Sequence, residues 1–174
     1  MLTGLLSACS HRRPAHSPPS EEAKQVHLKT PFYTNQSAQC GPAALASVLA
    51  FYGKKTAPER IREAIYRDDL NGSLSVDMLL AAQSYGMSAE MLEGGLHRLK
   101  AELDAGHPLI AFLNLGTRLT PIGHYVVVTG YDDARQGVLA HSGTKQDGLI
   151  SYARFSRQWE KTDRWALLVL PDAR

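Results

Sequence analysis

Cysteine is scarce in this sequence, and no long apolar run is present. The 174 residues include two cysteines, Cys9 and Cys40. Because Cys9 lies in a polar N-terminal segment and Cys40 in the body, we expect no disulfide between them. No cysteines or histidines have the spacing of a zinc site, and no eighteen-residue apolar run predicts a transmembrane helix. These absences argue against a disulfide scaffold, a zinc-binding module and a membrane-spanning protein.

The chain also lacks a strong charge of either sign. The formal net charge is +2. Residues 10–29 contain four basic and two acidic side chains, which account for all of it. A neutral body is not expected to bind nucleic acid. Hydrophobic residues make up 44% and charged residues 21%, a balance that predicts a folded globular domain rather than a disordered chain.

The N-terminal residues resemble a bacterial lipoprotein signal. Residues 5–9 read LLSAC, and in a lipobox of this kind the cysteine, here Cys9, is lipidated. Residues 1–9 would then be a truncated signal, and residues 10–29 a flexible polar linker. Eight residues with no basic side chain are shorter than a secretory signal, so either the true start lies upstream or the resemblance is fortuitous. We expect a membrane-anchored protein of the cell envelope facing the periplasm, or a cytoplasmic protein if the lipobox is fortuitous.

The body, residues 30–174, changes its pattern half-way along. Pro31–Tyr33 predicts an opening strand, and helical patterns follow, ending near Gly53, Gly86 and Gly106. After residue 107 the pattern becomes one of short apolar and β-branched runs bounded by turn residues. They are PLIAFLNL, HYVVVTGY, GVLAH, GLISY and RWALLVL, with a short helix predicted over FSRQWEK. Helices followed by strands predict an α+β domain.

Cys40 has the position of an activated nucleophile. It comes directly before Gly41 and Pro42 at the predicted start of an apolar helix. The unpaired N–H groups and the positive dipole of a helix N-terminus favour a thiolate, so we expect a lowered pKa. Gly41 leaves room beside the sulfur for a substrate backbone. A small buried cysteine without chemistry is the alternative.

His124 is the histidine best placed to act as a base. It opens a strongly apolar predicted strand, so its ring is expected at the rim of a rigid sheet. His97 belongs to a polar helix and His107 to a loop. The remaining histidines either lie in the tail or, like His141, fall in a later strand. A cysteine nucleophile needs a base held beside it.

The segments QCGPAALASVLAFYG, GHPLIAFLNL, GHYVVVTGYD and FSRQW…RWALLVL resemble those of the bacteriocin-processing cysteine peptidases, which cleave leader peptides after a double glycine. The resemblance covers residues 30–171 and is closest to stand-alone, lipoprotein-like bacterial relatives. It implies a papain-like fold, with N-terminal helices packed against an antiparallel sheet. It also implies a peptide or protein substrate, and no metal or cofactor.

The resemblance assigns roles to individual residues. Cys40 matches the nucleophile and His124 the general base. An upstream amide should stabilise the oxyanion, and Gln36 is our choice among Asn35, Gln36 and Gln39. The family usually has an Asp that orients the histidine, and here the matching stretch reads LAHSGT. Ser142 or His141 would take that role, while Asp132 and Asp133 are expected to point away.

Three functions remain open at this point. The first is a cysteine peptidase. The second is a catalytically weak or inactive relative that binds peptides as a tethered module, which the missing carboxylate favours. The third is another acyl-transfer enzyme with the same pair of groups, such as a transpeptidase or amidase. No transporter domain is expected within this chain.

Overall fold

The computed structural model describes residues 23–35 and 39–172. Helices dominate the first half of this part of the chain, and the apolar spacing and terminal glycines predicted most of them. Gly53, Gly86 and Gly106 all have positive φ, as expected where helices end. The helices are α1 (Cys40–Phe51), α2 (Pro58–Ile65), α3 (Ser75–Ser84), α4 (Leu96–Asp104) and α5 (Tyr152–Trp159).

Strands form one main sheet and one small hairpin. The strands are β1 (Gln25–His27), β2 (Tyr66–Arg67), β3 (Gly72–Ser73), β4 (Met87–Met91), β5 (Leu109–Asn114), β6 (Gly123–Asp132), β7 (Gly137–Ser142), β8 (Lys145–Ser151) and β9 (Ala166–Pro171). The main sheet has the order β4-β9-β5-β6-β7-β8, β1 also pairs with β6, and all its pairings are antiparallel. β2 and β3 pair only with each other.

Both faces of the main sheet are covered, which explains its nearly continuous apolar strands. Ile110 of β5 packs with α1, α2 and α3 on one face. Its neighbours Leu109 and Ala111 pack with α4 and α5 on the other. The period of two in a strand sends successive side chains to opposite faces. The predicted α+β architecture is confirmed, with helices on both sides of the sheet.

The start of the body differs from the prediction. Pro31–Tyr33 is not a strand. Instead β1, at Gln25–His27, pairs with the end of β6, so the sheet begins before residue 30. The sequence does not predict β1, because three residues in a polar segment show no clear alternation of apolar and polar side chains. No helix within residues 23–35 and 39–172 is long and apolar enough to cross a membrane.

Gly130 is where β1 makes its closest approach to β6. A Cβ on Gly130 would collide with the carbonyl of Val26, so glycine is required for this pairing. We expect Gly130→Ala to displace β1 and lower the free energy of unfolding by about 1–3 kcal/mol, the usual cost of forcing a group into packed structure. Urea unfolding would measure it.

Gly148→Ala is the matched control, because a Cβ there would make only ordinary contacts. Equal stability of the two variants, or unchanged amide exchange of residues 25–27 in Gly130→Ala, would contradict the account of this strand.

Candidate active site

Cys40 is the first residue of α1, and its side chain is half-buried. The side chain of the N-cap residue Gln39 makes no capping hydrogen bond, so it does not occupy the first-turn N–H groups. The backbone N–H of Tyr125, the third residue of β6, donates to Sγ of Cys40 at 3.4 Å. The start of α1 therefore rests against the start of β6.

His124 lies next to that contact. It is half-buried, and it sits opposite Leu113 in the β5–β6 pairing. Cys40 and His124 line the same cleft, which has a volume of about 380 Å³. Residues 84 positions apart in sequence thus share one cavity, as a nucleophile and its base require.

Ser142 is the residue that contacts the imidazole. Its Oγ lies 2.9 Å from Nε2 of His124. A base must keep a free lone pair, so the useful tautomer carries its proton on Nε2 and donates it to Ser142, leaving Nδ1 to accept a proton. Ser142 fixes the ring but supplies no charge.

His141, the other residue predicted to orient His124, has different hydrogen-bond partners. Its Nε2 lies 3.0 Å from the carbonyl of Thr30, and its Nδ1 accepts the backbone N–H of Asp147 at 3.1 Å. The residue is 5% exposed, and its ring links the segment before α1 to β8. The structure therefore brings Ser142, not His141, to His124, because successive residues of β7 face opposite sides of the sheet.

Neither of the aspartates near the end of β6 reaches the site. Asp132 accepts the backbone N–H of Arg135, and Asp133 binds Lys100 and the hydroxyl of Tyr152. Both lie at the end of β6 remote from His124. Among the residues that the structure describes, no carboxylate lines the cleft.

Two of the three candidate amides fall within the described residues. Asn35 is half-buried, borders a small void together with Cys40, and has a buried Oδ1 with no hydrogen-bond partner. Its backbone N–H donates to the carbonyl of Gly143, next to Ser142. Gln39 is exposed. Gln36 and the predicted lipidation site Cys9 lie outside the described residues.

The pKa of Cys40 shifts in the opposite direction from the one that the sequence predicts. Burial raises the pKa of the Cys40 thiol, outweighing the backbone N–H groups of Tyr125, Gly41 and Cys40 itself, which lower it. Burial also lowers the pKa of His124. The prediction of a lowered thiol pKa is therefore wrong, because it considered the helix N-terminus without the desolvation of the sulfur. Both shifts favour a neutral thiol beside a neutral imidazole.

Gly41 also has a different role from the expected one. It is buried, and a Cβ on it would lie 3.1 Å from Oγ of Ser73 and 3.2 Å from Sδ of Met78. The missing side chain thus admits the β2–β3 hairpin beside Cys40 rather than a substrate.

The sequence pattern does not predict the β2–β3 hairpin. Residues 70–74 form one wall of the cleft, and Phe112 and residues 122–125 line the rest together with Cys40. The dipeptide Asn71-Gly72 is a turn signal and indicates a loop at this point, though not the strands on either side of it. Asn71 indeed has a φ of 47°. The wall is mainly apolar, with Leu70 and Leu74 both partly exposed.

The described residues offer no metal site. No group of three or more His, Cys, Asp or Glu side chains within residues 23–35 and 39–172 is arranged to hold an ion. His107 pairs with Glu102, and His97 is exposed on α4, away from the cleft.

The sequence matches a known protein family. A family model described as the Peptidase_C39 like family matches residues 27–167. The chain belongs to this family. The predicted resemblance to bacteriocin-processing peptidases is thereby confirmed at the level of the C39 family, which supports a peptidase-like function.

Solved C39 peptidase domains confirm the papain-like fold. A double glycine motif protease from an AMS/PCAT transporter, solved with its leader peptide, is 26% identical, with a TM-score of 0.67 over 84% of this chain and 95% of that one. The peptidase domain of Streptococcus ComA, a bi-functional ABC transporter involved in quorum sensing, is 22% identical. Its TM-score is 0.66 over 82% of this chain and 98% of that domain.

A curated relative matches a shorter stretch. An uncharacterized protein of Methanothermobacter marburgensis is 35% identical over 94 residues, or 54% of this chain. The match spans 58% of that relative's own length.

The neutral forms of Cys40 and His124 lead to a specific prediction about thiol reactivity. Because the resting pair is neutral, wild-type Cys40 should be alkylated by iodoacetamide with a midpoint at or above the ordinary thiol pKa of about 8.5. Ser142→Asp would place a carboxylate beside His124, stabilise the imidazolium and lower that midpoint by about one pH unit or more. Intact-mass kinetics against pH would measure both.

Ser142→Ala is the control, since it removes the hydrogen bond without adding charge and should not lower the midpoint. A wild-type midpoint well below 8.5, or an unmoved midpoint in Ser142→Asp, would show that the electrostatic account is wrong.

Proposed function

We propose that this protein is a cysteine peptidase that hydrolyses peptide bonds with Cys40 as nucleophile and His124 as base. The observation that carries the proposal is the convergence of both side chains on one cleft, with His124 oriented by Ser142 at 2.9 Å. Membership of the C39-like family supports the same chemistry.

The proposed reaction runs in two halves. As Sγ of Cys40 attacks the substrate carbonyl carbon, the thiol proton passes to His124, so no free thiolate is required in the resting state. The tetrahedral intermediate collapses, the C–N bond breaks, and His124 returns the proton to the leaving amine. Water then attacks the thioester with His124 again as base, and release of the acid restores the thiol.

The oxyanion of that intermediate needs donors. The backbone N–H groups of Cys40 and Gly41 lie beside the sulfur, and an amide side chain would complete the set. We assign this amide to Gln36, with Asn35 and Gln39 as the alternatives. An amide N–H₂ suits the role because the negative charge it stabilises develops only in the transition state.

Alanine substitution distinguishes the three amides. The donor's loss should lower kcat by about 10²–10³-fold with little change in KM, whereas the other two variants should stay close to wild type. A uniform small effect of Asn35→Ala, Gln36→Ala and Gln39→Ala would contradict an amide donor in this segment.

The substrate we propose is a peptide with apolar residues and a small, Gly-rich cleavage site. Leu70, Leu74 and Ile122 are exposed large apolar side chains on the cleft walls. Such walls would bury apolar side chains of a bound peptide. A Gly-rich site follows by analogy with the double glycine motif protease of similar fold.

A second function, peptide binding without turnover, is favoured by one observation. Ser142 provides no negative charge to stabilise an imidazolium, and burial raises the pKa of Cys40. A site with these properties could bind a peptide and cleave it slowly or not at all. Cleavage measurements separate the two functions.

We further propose that the protein works in the cell envelope. The support is the lipobox-like sequence ending at Cys9, followed by a segment rich in Ser, Pro and charge. Lipidation of Cys9 would tether the peptidase domain to the membrane. A cytoplasmic location remains the alternative.

Hydrolysis tests the main proposal. Wild-type protein should cleave a peptide carrying apolar residues before a Gly-Gly sequence, as followed by mass spectrometry. Cys40→Ala and His124→Ala should each lower kcat/KM by at least about 10³-fold, because the two residues act as a unit. His97→Ala is the matched control, since His97 is an exposed histidine outside the cleft.

Cleavage that survives Cys40→Ala would contradict the assignment. Binding of the peptide by wild type without any cleavage would favour the binding module instead.

A further inference from the structure

The β2–β3 hairpin forms one wall of the cleft, and the pairing between its own two strands is short. It pairs only at Tyr66↔Ser73 and Arg67↔Gly72. At its outer side Arg67 forms two hydrogen bonds with Asp77 of α3, at 2.9 and 3.1 Å, with the guanidinium half exposed and the Asp77 side chain 13% exposed. This bidentate pair attaches the outer side of the hairpin to α3, and other contacts hold the inner side against the catalytic elements.

Tyr125 makes the polar contacts on that inner side. Its hydroxyl donates to the carbonyl of Ser73 at 3.1 Å and lies 3.2 Å from Oγ of Ser75. Because the single phenolic proton goes to Ser73, the hydroxyl of Ser75 is the donor in the second bond. Tyr125 thus links the end of the hairpin to the start of α3.

The ring of Tyr125 is fixed by packing. It is 4% exposed, with ring centroids 4.5 Å from Phe112 and 5.7 Å from Trp165. Burial raises the pKa of Tyr125 to about 12, so the hydroxyl keeps its proton at neutral pH. The same residue's backbone N–H contacts Sγ of Cys40. One residue therefore touches the nucleophile with its backbone and the cleft wall with its side chain.

The wall approaches the nucleophile closely. Ser73 packs against the bare backbone of Gly41, and its own Oγ is buried without a hydrogen-bond partner. The hydroxyl of Ser73 therefore makes no hydrogen bond that would hold the hairpin. The carbonyl of Ser73, in contrast, accepts a hydrogen bond from the hydroxyl of Tyr125. The exposed side chains of Leu70 and Leu74 then face the cleft as apolar binding surface.

We propose that Tyr125 is a positioning residue, whose hydroxyl holds the hairpin wall at the distance from Cys40 at which the wall binds an extended peptide. The inference rests on the proposed function only in taking a peptide as the occupant of the cleft. It requires no turnover. The role differs from that of a catalytic residue, because the hydroxyl acts through Ser73 and Ser75 rather than on the reacting atoms.

Protection of Cys40 from alkylation tests this role. The probe is the blocked peptide acetyl-Ala-Leu-Ala-Gly-Gly-amide, and the readout is the concentration that halves the initial rate of iodoacetamide labelling. In Tyr125→Phe both hydrogen bonds are lost while the ring remains, so the half-protecting concentration should rise about tenfold. The labelling rate without peptide should change much less. Ser75→Ala, which removes one bond, should give a smaller rise.

Tyr131→Phe is the matched control. Tyr131 lies on the same strand, and its hydroxyl donates to Asp104 at 2.6 Å, outside the cleft. This variant should protect like wild type. Hydrogen exchange of residues 66–74 should be faster in Tyr125→Phe than in wild type or Tyr131→Phe, which reports the loosened wall directly.

Three results would overturn the inference. They are an unchanged half-protecting concentration in Tyr125→Phe, equal effects of Tyr125→Phe and Tyr131→Phe, and no protection of wild type by the peptide at millimolar concentration. Protection without cleavage would contradict the proposed peptidase and leave the positioning role standing. Cleavage with unchanged protection would contradict the positioning role alone.

Discussion

The docking of the first turn of α1 against the start of β6 is the contact on which the site depends. Through it, Sγ of Cys40 meets the backbone N–H of Tyr125, the residue that follows His124. The pairing of β5 with β6 fixes where His124 emerges from the sheet. Gly41 then allows the hairpin to close on the same point. Nucleophile, base and cleft wall are thus positioned by one junction between a helix and a strand.

That junction also sets the electrostatics. Packing the sulfur and the imidazole into a partly buried cleft disfavours the charged form of each group. The raised pKa of Cys40 and the lowered pKa of His124 both follow from burial, and Ser142 contributes a hydrogen bond without an opposing charge. In the mechanism that we propose, a thiol kept neutral in this way becomes a nucleophile when its proton moves to His124 during attack.

Local patterns were enough to place Cys40 at the start of a helix and His124 at the start of an apolar strand, because the signals for both starts lie in neighbouring residues. Which of His141 and Ser142 faces the base was not, because it depends on the register in which β7 pairs with β6, where His141 lies opposite Val127. The thiol pKa depends on burial by distant segments. Asn71-Gly72 indicates a turn, but the hairpin and its place beside Cys40 follow only from tertiary packing.

Trapping of an acyl-enzyme tests the central claim most directly. A peptide p-nitrophenyl ester would be mixed with the protein, quenched with acid within the first turnover and analysed by mass spectrometry of the fragment that contains Cys40. The account predicts an acyl thioester on Cys40, absent from Cys40→Ala and formed far more slowly in His124→Ala. No adduct on wild-type Cys40, or an adduct whose rate is indifferent to His124, would contradict it.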